Sequence, residues 1–135
     1  MIKTLTVKII LPSKISLEQE ATMVNIPGSK GVFGVLPGHA KLVASMDVGV
    51  VTLFDDEMET KYFVYGGIAQ VTGQELNIIT EFASNLESTP AKSVYDDIAR
   101  LKNDLSKLDD DSIEAEIISN NIEIYHSLLK FIEVK

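Results

Sequence analysis

The spacing of apolar residues changes along the chain, and this change constrains the fold more than any other feature. From Leu5 the apolar residues fall at every second position, which is the period of a half-buried β-strand. Similar short runs recur as far as Phe82, including one from Ile15 to Ile26, and turn residues separate nearly all of them. From Val94 the apolar residues instead repeat at spacings of four and three, the period of an α-helix. The chain therefore combines a strand-rich part with a helical part.

Two start signals place the predicted helices. Thr89 and Pro90 provide a hydroxyl cap followed by the proline that the first helical position tolerates. Asp111 and Glu114 have the spacing of a capping box, with Asp as a variant of the usual Ser or Thr. We therefore expect two consecutive helices, joined by a polar turn.

The strand-rich part is predicted to be a sandwich. Asp47 and Gly66-Gly67 are interpreted as turns, so the strands are brief and closely spaced. This pattern favours antiparallel sheets over alternating strand–helix units. We predict an α+β fold, with an N-terminal antiparallel β-sandwich over residues 1–88 and a C-terminal antiparallel two-helix hairpin over residues 89–135.

The two predicted helices differ in the width of their apolar faces. The stripe on the first helix covers about 80°, whereas two neighbouring stripes on the second cover about 180° together. The second helix thus has more apolar surface than the first can bury, so we expect it also to contact the sandwich or a partner protein. Its two stripes are Ile118, Ile122, Tyr125, Leu129 and Ile132, and Ile113, Ile117, Ile124, Leu128 and Phe131.

The overall charge excludes several classes of partner. The chain has 20 Asp and Glu against 12 Lys and Arg, a formal net charge of -8. This sign opposes binding to nucleic acid or to anionic lipid, because both require clustered cations. No apolar run approaches the roughly 18 residues of a spanning helix, so no direct membrane insertion is expected.

Catalytic and metal-binding signatures are missing from the sequence. There is no cysteine, no G-x-x-x-x-G-K-[ST] phosphate loop and no G-x-S-x-G element. The spacing of His39 and His126, the only histidines, does not suggest a metal site. We predict no catalytic residue, no metal and no required cofactor. An independent enzyme therefore has the least support among the functions considered.

One stretch carries a family resemblance. The segment from Gly31 to Leu42 reads GVFGVLPGHAKL. It is interpreted as a chain of tight turns, in which Pro37 sets up a turn at Gly38. It resembles the G-x-x-G-x-x-P-G-H-A signature of the epsilon subunit of bacterial F-type ATP synthases. The segment from Phe63 to Val71, FVYGGIAQV, is similar to that family's aromatic-x-x-G-G-x-x-x-V strand pair. With the order of sandwich and hairpin, the resemblance covers the whole chain.

The resemblance implies a non-catalytic subunit in the central stalk, or rotor, of a proton-translocating ATP synthase. It implies that the sandwich holds the gamma subunit and sits on the c-ring. The hairpin would extend along gamma towards the alpha and beta subunits and restrain ATP hydrolysis. The implied location is peripheral, on the cytoplasmic face of the bacterial inner membrane.

The resemblance also assigns a partner interface to two loops. Many relatives carry an acidic residue where Val32 stands, so the chain departs from the family at this point. The residues that match the ring-facing end of the family's sandwich are Gly28, Ser29, Lys30, Gly31, Val32, Pro37, Gly38, His39 and Ala40.

The first helix contains a partial match to a nucleotide motif. Some relatives bind ATP through [IL]-D-x-x-R-A, of which Asp97 and Arg100 are retained here. The resemblance thus implies ATP as a regulatory ligand, and an ATP-sensing module without a braking role is the alternative function. An ion pair of Arg100 with Asp96 or Asp97 within the helix explains the same residues.

The hairpin is predicted to dock through apolar contacts. The family's inhibitory hairpin often presents basic residues to an acidic segment of the beta subunit, but here the second helix has only Lys130 and Lys135. Any restraint of hydrolysis would therefore depend on apolar residues. The predicted docking residues are Ile113, Ile117, Ile124 and Leu128.

Overall fold

The computed structural model describes residues 4–133. They fall into two compact units divided between Asn85 and Leu86. The boundary predicted from the sequence lay three residues later, after residue 88. The first unit holds the strands and the second holds the helices, so the predicted sandwich-then-hairpin fold is confirmed. The elements are β1 (Leu5–Leu11), β2 (Lys14–Ala21), β3 (Met23–Gly28), β4 (Gly31–Val35), β5 (Leu42–Asp55), β6 (Met58–Val71), β7 (Glu75–Ile79), β8 (Ala83–Asn85), α1 (Ala91–Leu105) and α2 (Ile113–Glu133).

The strands are hydrogen-bonded in the order β2-β1-β7-β6-β5-β3-β4, with β8 paired to β6. Within the described residues β1 and β7 run parallel and the other pairs are antiparallel. Residues 62–64 of β6 pair with β8, whereas residues 68–71 pair with β7. Because β6 changes its neighbour midway, the sheet folds over into the two layers of a sandwich.

The inward side chains of both layers form one hydrophobic core. On β1, Leu5, Val7 and Ile9 have exposed fractions of 1%, 0% and 0%, while the residues between them are half-buried. The two-residue period predicted for this strand is therefore confirmed. Each such buried side chain contributes on the order of 1.5–3 kcal/mol. The core also includes Val24 and Ile26 of β3, Val51 and Leu53 of β5, and Leu76 and Ile78 of β7.

Two of the predicted turns are wrong, because Asp47 and Gly66-Gly67 lie inside long strands. β5 and β6 each span 14 residues and pair along their full length. The pairing passes from Met46 and Gly67 to Val48 and Tyr65, which leaves a local irregularity between them. Glycine with positive φ serves here to bend a continuing strand instead of ending it.

Two other strand assignments also differ from the sequence reading. The predicted run from Ile15 to Ile26 consists of two strands, with Thr22 between them. The start of the glycine-rich stretch, interpreted as tight turns, forms β4 instead. Its glycines leave the backbone hydrogen bonds intact, and β4 pairs with β3 over its whole length.

The helices pack against each other, but each begins one residue later than predicted. Pro90 is the N-cap of α1, with an extended backbone, instead of its first helical residue. Its carbonyl oxygen accepts from the backbone N–H of Ser93 at 3.1 Å and so closes the first turn. At α2 the cap is Ser112, not Asp111, because the Ser112 hydroxyl oxygen accepts from the N–H of Ala115 at 3.1 Å.

No helix within residues 4–133 has the length and apolar composition needed to cross a membrane.

Candidate partner-binding surface of the sandwich

The Pro-Gly-His-Ala segment forms the predicted tight turn. The backbone N–H of His39 donates to the carbonyl oxygen of Leu36 at 3.0 Å, and Gly38 has a φ of 82°. Proline followed by a residue with positive φ is the pattern of a type II turn. The ring Nδ1 of His39 donates to the carbonyl oxygen of Ala40 at 2.7 Å, which holds the imidazole against the backbone.

The β3–β4 connection forms a second turn at Ser29 and Lys30, closed by the pairing of Gly28 with Gly31. The backbone N–H of Ser29 donates to the carbonyl oxygen of Ser45 on β5 at 3.0 Å. This bond ties the tip of the β3–β4 hairpin to the start of β5. The hairpin is therefore held in place by the sandwich.

A groove of about 590 Å³ lies between this hairpin and the start of β5. Its apolar walls are open to solvent, since Val32 is 74% and Val43 is 66% exposed. Exposed apolar residues grouped around a concave surface are typical of a protein-binding site. The lining residues are Gly28, Ser29, Lys30, Gly31, Val32, Phe33, Leu42, Val43, Ala44 and Ser45.

The structure separates the two loops of the predicted interface. Residues 28–32 line the groove, whereas residues 37–40 form the turn between β4 and β5 and are not among its lining residues. Leu36, at the start of that turn, is 55% exposed. The groove is thus built from the first loop and from β5, whose contribution the sequence did not predict.

A second apolar surface crosses the outer face of the sheet. Ile10 of β1 is the register partner of Ile79 of β7, which in turn is the partner of Ile68 of β6. Partners in adjacent strands present their side chains on the same face, so the three isoleucines form one row. Ile68 and Ile79 are 45% and 42% exposed. We call Ile10, Ile68 and Ile79 the isoleucine row.

The isoleucine row continues into the groove. Ile68 is the register partner of Ser45, and Ser45 lines the groove. This surface was not predicted from the sequence, although the consecutive isoleucines Ile9-Ile10 and Ile78-Ile79 are a signal for it. A strand of a sandwich needs only one apolar face to pack against the core. Apolar residues on both faces therefore indicate a second surface that can bind a partner.

The partial nucleotide motif on α1 forms an ion pair. Arg100 Nη1 lies 3.4 Å from Asp97 Oδ1, and the two side chains are 64% and 36% exposed. The neighbouring carboxylate of Asp96 instead pairs with Lys92, whose Nζ lies 3.0 Å from Asp96 Oδ2. The intrahelical pair between Asp97 and Arg100 that the sequence suggested is therefore present. Exposed pairs of this kind contribute at most a few tenths of a kcal/mol.

The four predicted docking residues of the hairpin differ in exposure. Ile113 and Ile117 are 76% and 56% exposed, whereas Ile124 and Leu128 are 4% and 1% exposed. The available apolar surface of α2 is thus concentrated in its first half. Among the residues that the structure describes, no group of three or more His, Asp or Glu side chains could hold a metal ion.

Comparison with known proteins gives a consistent family. Residues 4–85 match the family described as "ATP synthase, Delta/Epsilon chain, beta-sandwich domain". The ATP synthase epsilon chain of Rickettsia felis is 37% identical over 110 residues, covering 79% of this chain and 98% of the relative. That of Rickettsia bellii is 35% identical over 105 residues, covering 76% of this chain and 97% of the relative.

Solved structures with the same fold also come from ATP synthases. A chain of the Euglena gracilis mitochondrial ATP synthase has a TM-score of 0.65 at 18% identity, covering 98% of this chain and 81% of that one. A chain in the central stalk and c-ring structure of the Tetrahymena thermophila mitochondrial enzyme has a TM-score of 0.53 at 8% identity, covering 87% and 96%. At these identities the likeness concerns the fold.

Proposed function

This chain belongs to the delta/epsilon-chain family of ATP synthases, and on that premise we propose that it is the non-catalytic epsilon subunit of the central stalk. The function is mechanical, since the subunit joins the gamma subunit to the c-ring and carries no reacting group of its own. The observation that carries the proposal is the exposed apolar groove lined by residues 28–32 and the start of β5. A rotor component needs such surfaces for its partners.

We assign the groove to the c-ring. A loop from the ring would contact the exposed side chains of Val32 and Val43 and the backbone of the β3–β4 turn. The hydrogen bond from Ser29 to Ser45 supports this assignment, because it fixes the turn on β5 and so preorganises the groove.

We assign the isoleucine row to the gamma subunit. The row is a flat, partly exposed apolar face on hydrogen-bonded strands, and the groove adjoins it at Ser45. Two partners bound at adjacent sites of one sheet would be linked by its ladder of backbone hydrogen bonds. Such a sheet deforms little under load, which suits a subunit that transmits torque.

Crosslinking tests both assignments in the assembled enzyme. Native thiols are absent, so Val32→Cys and Ile68→Cys each introduce a single reactive site. We expect the cysteine at 32 to crosslink to the ring and the cysteine at 68 to gamma. Glu57→Cys, in the β5–β6 turn at the opposite end of β5, is the matched control. Crosslinks at 57 but at neither test position would contradict the proposal.

The hairpin is proposed to contact the alpha and beta subunits and restrain ATP hydrolysis. The exposed Ile113 and Ile117 at the start of α2 support this, because they leave apolar surface available to a partner. Deletion of residues 90–135 should raise hydrolysis by the assembled enzyme. Unchanged hydrolysis, with the truncated subunit still bound, would remove the braking role.

The proposed function also implies a location for the subunit. The subunit is a peripheral part of a membrane-bound complex, and we propose the cytoplasmic face of the bacterial inner membrane as its location. The similarity of this chain to epsilon chains of Rickettsia bacteria supports this location. Membrane fractions should retain the protein, and protease added to sealed inverted vesicles should degrade it. Protection in such vesicles would contradict the location.

A further inference from the structure

The side-chain oxygen of Asn77 is buried without a hydrogen-bond partner. Asn77 Nδ2 donates to Gln70 Oε1 on β6 at 3.3 Å, but Asn77 Oδ1 accepts from no group within residues 4–133. A buried oxygen that has lost water without gaining a donor lowers the stability of the folded chain. The free subunit therefore carries an unused acceptor on β7.

A lysine side chain lies on the neighbouring strand. Lys8 of β1 is the register partner of Asn77, so the two side chains are neighbours on the outer face of the sheet. The Lys8 ammonium is bound instead to Glu75, which lies two residues before Asn77 on the same face of β7, with 3.2 Å between Nζ and Oε1. Because the lysine stem is long and flexible, rotation about its own bonds lets the ammonium reach either acceptor.

These side chains border the isoleucine row. Ile10 follows Lys8 by two residues and Ile79 follows Asn77 by two residues, so all four share one face of the sheet. The side chain of Glu75 is 45% exposed and that of Lys8 is 27% exposed, so the carboxylate is the more accessible member of the ion pair. A partner that covers the isoleucine row therefore comes close to Glu75.

Carboxylates outnumber ammonium groups on this part of the face. Glu18 of β2 is the register partner of Lys8. Glu20 of β2 and Glu75 of β7 are the register partners of Thr6 from its two sides. The three carboxylates and the one ammonium give a net charge of -2. Such a surface attracts a basic side chain of a partner and repels an acidic one.

We propose that Glu75 binds a lysine or arginine side chain of the gamma subunit and that Lys8 then moves from Glu75 to Asn77 Oδ1. This inference rests on the assignment of the isoleucine row to gamma, and it adds a site beside the row that selects a cation. The partner's cation replaces Lys8 on the carboxylate, and Lys8 donates to the oxygen that has no donor in the free subunit. Glu75 thus contacts the partner, whereas Asn77 is a positioning residue that acts through Lys8.

The exchange explains why the orphan oxygen and the ion pair occur together. Removal of Lys8 from Glu75 without another acceptor would leave a partly buried ammonium unpaired, which opposes binding. Asn77 Oδ1 provides that acceptor, so the ion pair in the free subunit does not block the site. A partner surface with no cation at this position leaves Lys8 on Glu75 and the oxygen unpaired.

The first experiment measures binding of the full chain to the alpha–beta–gamma assembly of its ATP synthase, from which this subunit has been removed. Glu75→Gln should weaken binding about three- to tenfold at low salt and reduce its salt dependence. Glu59→Gln is the matched control, because Glu59 is 47% exposed and pairs with Lys61 on β6, and it should leave binding unchanged. Equal binding by Glu75→Gln and the original chain, or equal weakening by both variants, would overturn the inference.

The second experiment tests the movement of Lys8. Asn77→Leu removes the oxygen to which the ammonium moves, so it should weaken binding about two- to fivefold in the original chain. In a Lys8→Met background there is no ammonium to move, and Asn77→Leu should then leave binding unchanged. Equal effects of Asn77→Leu in both backgrounds would show that Asn77 acts by packing alone and would overturn the exchange.

The outcomes separate this inference from the function on which it rests. If the original chain does not bind the assembly at all, the proposed function fails. If it binds, and Glu75→Gln and Asn77→Leu bind equally well, only the exchange at Glu75 is overturned. Urea midpoints close to that of the original chain establish that the variants are folded.

Discussion

Gly67 of β6 approaches Ile79 of β7 so closely that a Cβ atom added to Gly67 would overlap the Ile79 carbonyl oxygen. Gly67 also has a φ of 120°, in the region that favours glycine. The contact lies where β6 stops pairing with β8 and starts pairing with β7. Gly67 therefore permits the change of neighbour that divides the sheet into two layers.

Replacement of Gly67 by alanine should strongly destabilise the sandwich. The expected loss in the free energy of unfolding is about 3 kcal/mol or more, because the side chain must displace the backbone of β7 as well as adopt an unfavourable φ. Urea unfolding followed by circular dichroism measures it. Gly73→Ala is the control, since Gly73 has a φ of 94° but nothing within 4 Å of an added Cβ, and should cost about 1–2 kcal/mol. Equal losses would show that the close approach to Ile79 does not matter.

The same glycine shows what the sequence could and could not predict about the fold. The alternation from Leu5 identifies β1 because one face of that strand is buried. Gly66-Gly67 has the composition of a hairpin turn and of a bend inside a strand alike. The two cases differ only in the partner across the sheet, here Met46 and Ile79, and partners remote in sequence leave no local signal.

The candidate site was predictable to a similar extent. The loop at residues 28–32 entered the predicted interface through the family resemblance, which depends on a local run of glycines and proline. The isoleucine row was not, because Ile10, Ile68 and Ile79 are distant in sequence and become neighbours only through the register of three strands. Consecutive apolar residues in a strand indicate two apolar faces but not which other strands extend each face.

The acid stability of the sandwich should depend on Glu20. The hydroxyls of Thr6 and Thr4 donate to its carboxylate at 2.6 and 2.9 Å, and these bonds lower the pKa of Glu20 below its ordinary value of 4.5. A lowered folded-state pKa gives a contribution to stability that is fully present above the unfolded-state value and is lost as pH falls through the folded value. At neutral pH the free energy of unfolding of Glu20→Gln should therefore be lower than that of the original chain. The two values should converge as the pH falls below 4.5.

Urea midpoints measured across this range test the prediction. Glu57→Gln, in the exposed β5–β6 turn, changes the same charge without a threonine partner and is the matched control. A difference for Glu20→Gln that stays constant down to strongly acidic pH would show that the hydroxyls do not favour the ionised form.

Ser112 should contribute to the stability of α2 as its N-cap. Its hydroxyl oxygen accepts from the Ala115 N–H, and its hydroxyl donates to the Asp109 carbonyl oxygen at 2.8 Å. Loss of a serine cap costs about 1 kcal/mol, which corresponds to about fivefold faster amide exchange in the first turn of α2. Ser112→Ala should show this loss, Ser112→Asp should retain the protection, and Ser119→Ala on the exposed face of α2 is the control. Equal protection in Ser112→Ala and the original chain would place the cap elsewhere.

Substitution of Arg100, which pairs with Asp97, distinguishes the stalk function from the alternative of ATP sensing. If the pair is only a surface contact, Arg100→Ala should change the free energy of unfolding by a few tenths of a kcal/mol, and ATP should not change the melting temperature. Lys92→Ala breaks the other ion pair on α1 and is the control. A melting temperature that rises with ATP in the original chain and in Lys92→Ala, but not in Arg100→Ala, would assign a nucleotide site to these residues.

The exposed and buried parts of the apolar surface on α2 should have different roles. Leu128 is 1% exposed, so Leu128→Ala should lower the free energy of unfolding by about 2–5 kcal/mol. Ile117 is 56% exposed, and Ile117→Ser should change it by only about 0.5 kcal/mol. If α2 grips the alpha and beta subunits through its first half, Ile117→Ser should nevertheless raise ATP hydrolysis by the assembled enzyme. Ser127→Ala is the control, because it changes a side chain in the second half of the same helix and removes no apolar contact. It should leave hydrolysis unchanged. If deletion of residues 90–135 raises hydrolysis but Ile117→Ser does not, the contact with the alpha and beta subunits would lie in another part of the hairpin.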